Sequence, residues 1–168
     1  AKADLGACGK TVEMVDCNAE TPEHLYERLL HMERPHLLEE VLVQHPAVSA
    51  IYPHAINTVR VVTIQKEGKV HIASACVRFG NHGHTVDNFN SGGMTAPMDE
   101  KTGEITDYAI DKSKNLFTHH PETGAPIKGF VFPMWDEVCE MCRKAALVVP
   151  QVGYIGWDVC FTPDRPIS

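Results

Sequence analysis

The chain has 168 residues, 43% hydrophobic and 22% charged, enough for one sizeable domain or two small lobes around a real core. A net charge of −7, with no window that clusters basic residues, argues against a generic nucleic-acid-binding surface. No run approaches the ~18 consecutive apolar residues of a membrane-spanning helix. The opening AKADLGACGK has no charged-then-apolar signal layout, so a cytoplasmic protein is the expectation.

Residues 1–16 read as a short apolar strand, the glycine loop GACGK, and the alternating strand TVEMV. Lys2 and the loop offer one ammonium and several backbone amides, a combination suited to phosphate oxygens because amides in a turn form an anion nest. The loop is not a Walker A loop, and a glycine-rich hairpin without a ligand is the commoner meaning of such a stretch. Thr21 with Pro22 opens a helix through about Met32, in which Leu25, Leu29 and Met32 recur at spacings of three and four. LLEEVLV reads as a mostly apolar strand carrying two adjacent glutamates, and HPAVSAIYP allows only a short helix before Pro53.

TVRVVTIQ and KVHIASACVRF, joined by the KEG turn, form the clearest hairpin of the chain. The polar GNHGHTVDNFNSGG follows, then a second hairpin of MTAPM and ITDYAI around DEKTGE. A loop rich in His, Pro and Gly covers 111–132, a helix runs about 134–148, and VGYIGWDVCFTPDRPIS supplies the closing strands. Antiparallel strands interrupted by a few helices predict an α+β fold, with antiparallel sheets backed by helices, rather than a doubly wound parallel sheet.

Six scattered cysteines read as reduced thiols rather than a disulfide framework. Cys139 and Cys142 fall in the helical WDEVCEMCRKAAL, and without a second CxxC they read as a helix face with one buried thiol. The ten histidines include His82, His84, His119 and His120. With no HExxH or Cys/His grouping they read as surface-loop residues, the alternative being that His119 or His120 lines a cleft.

Arg60 and Arg78, each taken alone, read as solvent-facing residues of edge strands. Together, and followed by DNFNSGG with Asn88, Asn90 and Gly92–Gly93, they suggest an anion-binding cleft. Asp158 sits inside an apolar strand, where a buried carboxylate is costly unless paired. It must therefore meet a cation, a donor or Mg²⁺, or else turn to solvent.

In order, AKADLGACGKTVEMV, LLEEVLVQHPAVSAIYPHAINTVRVVTI, VRFGNHGHTVDNFNSGGM, HHPETGAPIKGFVFPMWDEV and GYIGWDVCFTPDRP resemble the ATP-grasp superfamily of carboxylate–amine ligases. The closer resemblance is to its sugar-transfer-associated, hexapeptide-transferase-like branch. This implies two lobes around an ATP cleft: residues 1–45 as a small lobe with a glycine flap and adenine hinge, and 46–168 as a larger phosphate and metal lobe. It implies ATP and Mg²⁺ as cofactors. Lys2 resembles the lysine on the α/β-phosphates, and Gly6 through Gly9 the flap over them. Glu39 would accept from the adenine amino group, with the backbone of Glu40 and Leu42 holding the ring. Gln44 or His45 falls near the ribose-binding position. Arg60, Arg78 and Asn88 match positions at the phosphate and acyl-phosphate site, and Asp158 the first Mg²⁺ carboxylate.

The implied reaction phosphorylates a carboxylate with ATP and lets an amine attack the acyl phosphate. The partners would be a small carboxylate, amine or sugar-linked substrate, in surface-polysaccharide biosynthesis. Such a site needs positioning and charge neutralisation rather than a nucleophilic side chain. The family's Glu-x-Asn metal ligands do not follow Asp158 before Ser168, and Lys2 already lies in the first ATP-binding strand. The expectation is therefore a core incomplete at both ends, binding Mg–ATP poorly and lacking ligase activity by itself. Two other classes stay open: a non-catalytic nucleotide-binding module and a His-rich metal-binding domain.

Overall fold

In the hairpin at the centre of the fold, alternate side chains of the first strand are buried at Val59, Val61 and Thr63. That period of two sends alternate residues to opposite faces of a sheet. The computed structural model describes residues 2–3, 15–16, 19–31, 36–37 and 39–168. It divides into two compact units, 1–41 and 42–168.

In the first unit, β1 (Lys2–Ala3) pairs antiparallel with β2 (His36–Leu37), Lys2 opposite Leu37. Between them, α1 (Pro22–Leu30) starts where expected: the Thr21 side chain accepts from the His24 N–H at 3.2 Å, with Pro22 in the first turn. Glu20 accepts from Arg28 at 2.7 Å. The helix stops at Leu30, and Met32 lies outside the described residues.

The second unit is built on one antiparallel sheet. Its strands are β3 (Thr58–Lys66), β4 (Lys69–Phe79), β5 (Met94–Met98), β6 (Ala109–Ile110), β7 (Leu116–Phe117), β8 (Tyr154–Phe161) and β9 (Pro166–Ile167). Their spatial order is β7-β6-β5-β4-β3-β8-β9. The turn between β3 and β4 places Glu67 and Gly68 at φ of 53° and 73°, the two-residue geometry whose twist suits a hairpin. The helices are the single-turn α2 (Pro46–Ser49) and the long α3 (Trp135–Val148). Among the described residues, no helix is long and apolar enough to cross a membrane.

The core lies between α3 and one sheet face. From the helix come Trp135, Val138, Cys139, Cys142 and Ala146. From the sheet come Val59, Val61, Ala75, Val77, Ala96, Met98, Val159 and Phe161. Cys139 and Cys142 are both buried, where the sequence suggested a single buried thiol. Three residues apart, they share the face that packs on the sheet. Burial, with Cys139 alongside, pushes the Cys142 thiol up to about 12, so it is an inert core group.

Two further expectations are corrected. Among the described residues of LLEEVLV only Leu37 is in a strand, and residues 39–45 have no regular structure, with Val41 and Val43 exposed. His120 is not a surface residue but 1% exposed. Its ring stacks on Tyr52 at 4.9 Å, Nε2 donates to the Gly80 carbonyl at 2.9 Å, and Nδ1 accepts from the Glu122 N–H at 3.3 Å. Those partners select the neutral Nε2–H tautomer, because a proton on Nδ1 would face another N–H.

Burial holds the His120 pKa below its ordinary value, against the pull of the Gly80 carbonyl and Glu122. The unfolded chain therefore binds this proton more tightly than the folded one. The resulting stability is full above the ordinary imidazole range near ~6.5 and is lost as pH falls through it towards the lowered value. Urea titrations between about pH 7.5 and 5 should show wild-type stability falling more steeply than that of His120→Phe. Parallel slopes would refute this origin.

Candidate functional site

The sheet face opposite α3 is polar. On β3 the residues alternating with the core valines are Thr58, Arg60 and Val62; on β4 they are Cys76 and Arg78; on β8 the residue is Asp158. Register sets Arg60 directly opposite Asp158 on one side and Cys76 on the other, and Thr58 opposite Arg78. The arginines are not edge-strand residues, since β3 and β4 are neighbours inside the seven-strand order. Asp158 lies in an apolar strand without being buried, its side chain 47% exposed. Its neighbours Val159 and Phe161 carry the core side of the strand.

The two arginines converge on this carboxylate. Arg60 donates from Nε to Oδ1 at 2.5 Å and from Nη2 to Oδ2 at 2.9 Å, a bidentate fork. Arg78 Nη2 reaches Oδ1 at 2.9 Å. A Cβ at Gly156 would sit 3.4 Å from Arg60 Cδ, an ordinary van der Waals contact. Partial burial raises the Asp158 pKa, but the hydrogen bonds and charges of Arg60 and Arg78 win and hold it below the usual carboxylate range. At this exposure the ion pairs contribute at most about 1 kcal/mol to stability. Their weight is in the charge they concentrate.

Behind Arg78 stands a second layer. Its Nε and Nη2 donate to Thr58 Oγ1 at 3.1 and 2.6 Å. Asp87 Oδ2 accepts from the Thr58 N–H at 2.9 Å and from the Thr58 hydroxyl. Burial pushes the Asp87 pKa up, against the Thr58 hydrogen bonds and the Arg78 charge. The loop carrying Asp87 closes tightly at Gly93, where a Cβ would lie 2.7 Å from the Asp87 carbonyl, 2.8 Å from that of Phe79 and 2.9 Å from that of Asn88. The Asn88 side chain caps the following 3-10 turn, accepting from the Asn90 N–H at 2.8 Å.

Of the residues singled out from sequence, the fold thus brings together Arg60, Arg78 and Asp158, with Asn88 next in the chain to Asp87. Gln44 lies in the same unit, its amide turned inward. Its oxygen accepts from Asn57 N at 2.6 Å and Nδ2 at 3.1 Å, and its Nε2 donates to the Tyr52 carbonyl at 3.2 Å. Leu42 and His45 lie in the stretch before α2. Lys2, in β1, and the exposed Glu39 and Glu40 belong to the first unit. Gly6 and Gly9 lie outside the described residues. Sequence reasoning missed Thr58 and Asp87. The available signal was adjacency: Thr58 shares a face with Arg60 two residues on, and Asp87 precedes Asn88.

The Mg²⁺ implied by the resemblance would need free carboxylate oxygens among these groups. Both Asp158 oxygens are occupied by guanidinium N–H groups, and Asp87 Oδ2 is turned onto Thr58. Among the described residues no cluster of three or more His, Cys, Asp or Glu side chains is placed to hold a metal ion. As arranged, these residues do not fit a metal centre. Two guanidinium groups on an exposed sheet face do fit an anion.

Comparison with known proteins supports the family resemblance. A model of the family described as sugar-transfer associated ATP-grasp matches residues 25–167, which include the whole sheet of the second unit and the Arg60–Arg78–Asp158 cluster. Searches of curated proteins and of solved structures return no significant match. With a family match over most of its length, the chain belongs to the sugar-transfer associated ATP-grasp family.

Proposed function

We propose that the protein is the ATP-binding core of an ATP-dependent ligase, in which Arg60 and Arg78 neutralise the charge of the transferring phosphoryl group or acyl phosphate. The observation that carries this reading is the convergence of the two arginines, from adjacent central strands, on a single carboxylate of the open sheet face. The same donors suit a phosphate or a carboxylate, and phosphoryl transfer is mostly positioning and charge neutralisation. Asn88 contributes from the adjoining loop. Lys2 and the Gly6–Gly9 loop are assigned to the phosphates, and Glu39, Glu40 and Leu42 to adenine. Gln44 is assigned to the ribose side, which requires its amide to leave Asn57. The proposed two-lobe division, 1–45 and 46–168, and a role in surface-polysaccharide biosynthesis with a carboxylate, amine or sugar-linked substrate belong to the same reading. Asp158 serves Mg²⁺ only if it releases both guanidinium groups.

A non-catalytic nucleotide-binding module is the second reading. It is favoured by one specific observation, the full engagement of Asp158 by arginines rather than with further carboxylates. Calorimetric titration of ATP, with and without Mg²⁺, tests what the two readings share. The expected result is weak but saturable binding that Arg60→Ala weakens by about tenfold, as loss of a charge-assisted hydrogen bond implies. Absence of binding, or equal affinity of Arg60→Ala, would overturn both. Release of ADP and phosphate by the full-length protein, on adding candidate carboxylates and amines, separates the ligase from the silent module.

A further inference from the structure

We propose that Thr58 and Asp87 are positioning residues that orient Arg78 towards the anionic ligand of the open face. This rests on the assignment of Arg78 to that ligand. Thr58 Oγ1 has one proton to give and two lone pairs to offer. Asp87 Oδ2 already accepts the Thr58 backbone N–H, which marks it as an acceptor, and it takes the hydroxyl proton as well. With its only proton committed, Oγ1 can only accept from Arg78. It does so from two atoms of one guanidinium edge, Nε at 3.1 Å and Nη2 at 2.6 Å.

A planar guanidinium held along an edge cannot rotate about its stem without losing both bonds. The same Nη2 then meets Asp158 Oδ1 at 2.9 Å, so the orientation set by Thr58 presents Arg78 to the anion position. The contact is built into the sheet, since Thr58 and Arg78 are cross-strand partners of β3 and β4. Asp87 is fixed independently, by the turn at Asn88–Gly93 in which Ser91 N and Gly93 N both donate to the Asn88 carbonyl, at 2.9 and 3.0 Å. The order of dependence runs from loop to Asp87, to Thr58, to Arg78, with Asp87 Oδ2 also paired directly to Arg78 Nε at 3.7 Å.

The test measures ATP affinity calorimetrically for the protein and its Thr58→Val, Thr58→Ser, Arg78→Ala and Thr58→Val/Arg78→Ala variants. Thr58→Val should weaken ATP binding by about tenfold, the size of one charge-assisted hydrogen bond. Thr58→Ser should restore it to within about twofold, because only the hydroxyl matters. In the Arg78→Ala background, Thr58→Val should add nothing further. Equal losses with and without Arg78, or no rescue by serine, would mean a structural role and overturn the proposal. If Arg78→Ala weakens binding while Thr58→Val does not, the proposal falls and the functional reading stands. If Arg78→Ala binds ATP as well as wild type, both fall.

Without nucleotide, the Arg78 Nε–H resonance should be observable in wild type and Thr58→Ser and lost to exchange in Thr58→Val. Persistence in Thr58→Val counts against the proposal. Should Thr58→Val fail to fold, Asp87→Asn carries the same test. Its amide can donate to Oγ1, turning the hydroxyl proton against Arg78 and predicting the same loss of affinity.

Discussion

Replacing Phe161 by alanine is expected to cost roughly 3–5 kcal/mol of folding stability, the range for removing a buried aromatic ring from a packed core. Phe161 is 1% exposed, its ring tilted against that of Phe132 at a centroid distance of 4.9 Å. It belongs to the core cluster that gathers α3, β3, β4 and β5. Its carbonyl also accepts from His45 N–H at 2.7 Å, so the end of β8 tethers the segment entering α2. A loss of this size corresponds to a fall of roughly 6–20 °C in Tm for a chain of this length. Urea unfolding and thermal melting check it. A loss below about 1 kcal/mol would mean that packing on the helix side does not hold β8 in place.

Asn57 carries the second large effect, through hydrogen bonds rather than packing. Its side chain is completely buried, donating from Nδ2 to the Tyr52 carbonyl at 2.8 Å and to Gln44 Oε1 at 3.1 Å, and accepting from Gly80 N–H at 3.1 Å. Asn57→Ala strands those partners in the interior, at an expected cost of roughly 3 kcal/mol. Asn57→Asp keeps the volume but points a carboxylate at the Tyr52 and Ala55 carbonyls, and is expected to cost at least as much. Equal stability of Asn57→Asp and wild type would show that the donor is dispensable. The consequence reaches the functional face. Asn57 immediately precedes Thr58 and bonds to Gly80, which follows the β4 strand of Arg78, so it locks together the strand ends that carry both arginines.

Much of the second unit was legible without coordinates. Alternation of Val59 and Val61 with Thr58 and Arg60 is a local, two-residue period, and KEG names its own turn. The helix at 135–148 announced itself through the spacing of Trp135, Val138, Cys142 and Ala146. The family was legible as well, because several motifs in a fixed order carry more information than any one of them, and four of the five lie within the matched residues. The apolar LLEEVLV run was misread because composition does not distinguish a buried strand from an extended segment with its valines exposed. His120 was misread because nothing near it in sequence reveals that Tyr52 and Gly80 would enclose it.

The order of residues along each strand dictates which side chains share a face, and so groups Arg60 with Thr58, Arg78 with Cys76, and Asp158 opposite its apolar neighbours. That these faces meet follows from long-range strand pairing. Arg60 and Asp158 are 98 residues apart, and their pairing depends on β8 returning antiparallel beside β3 in one register. A slip of one residue would send Asp158 to the α3 side. That register is set by burial of Val159 and Phe161 together with Val59, Val61 and α3, a condition of the whole core that no local stretch of sequence contains.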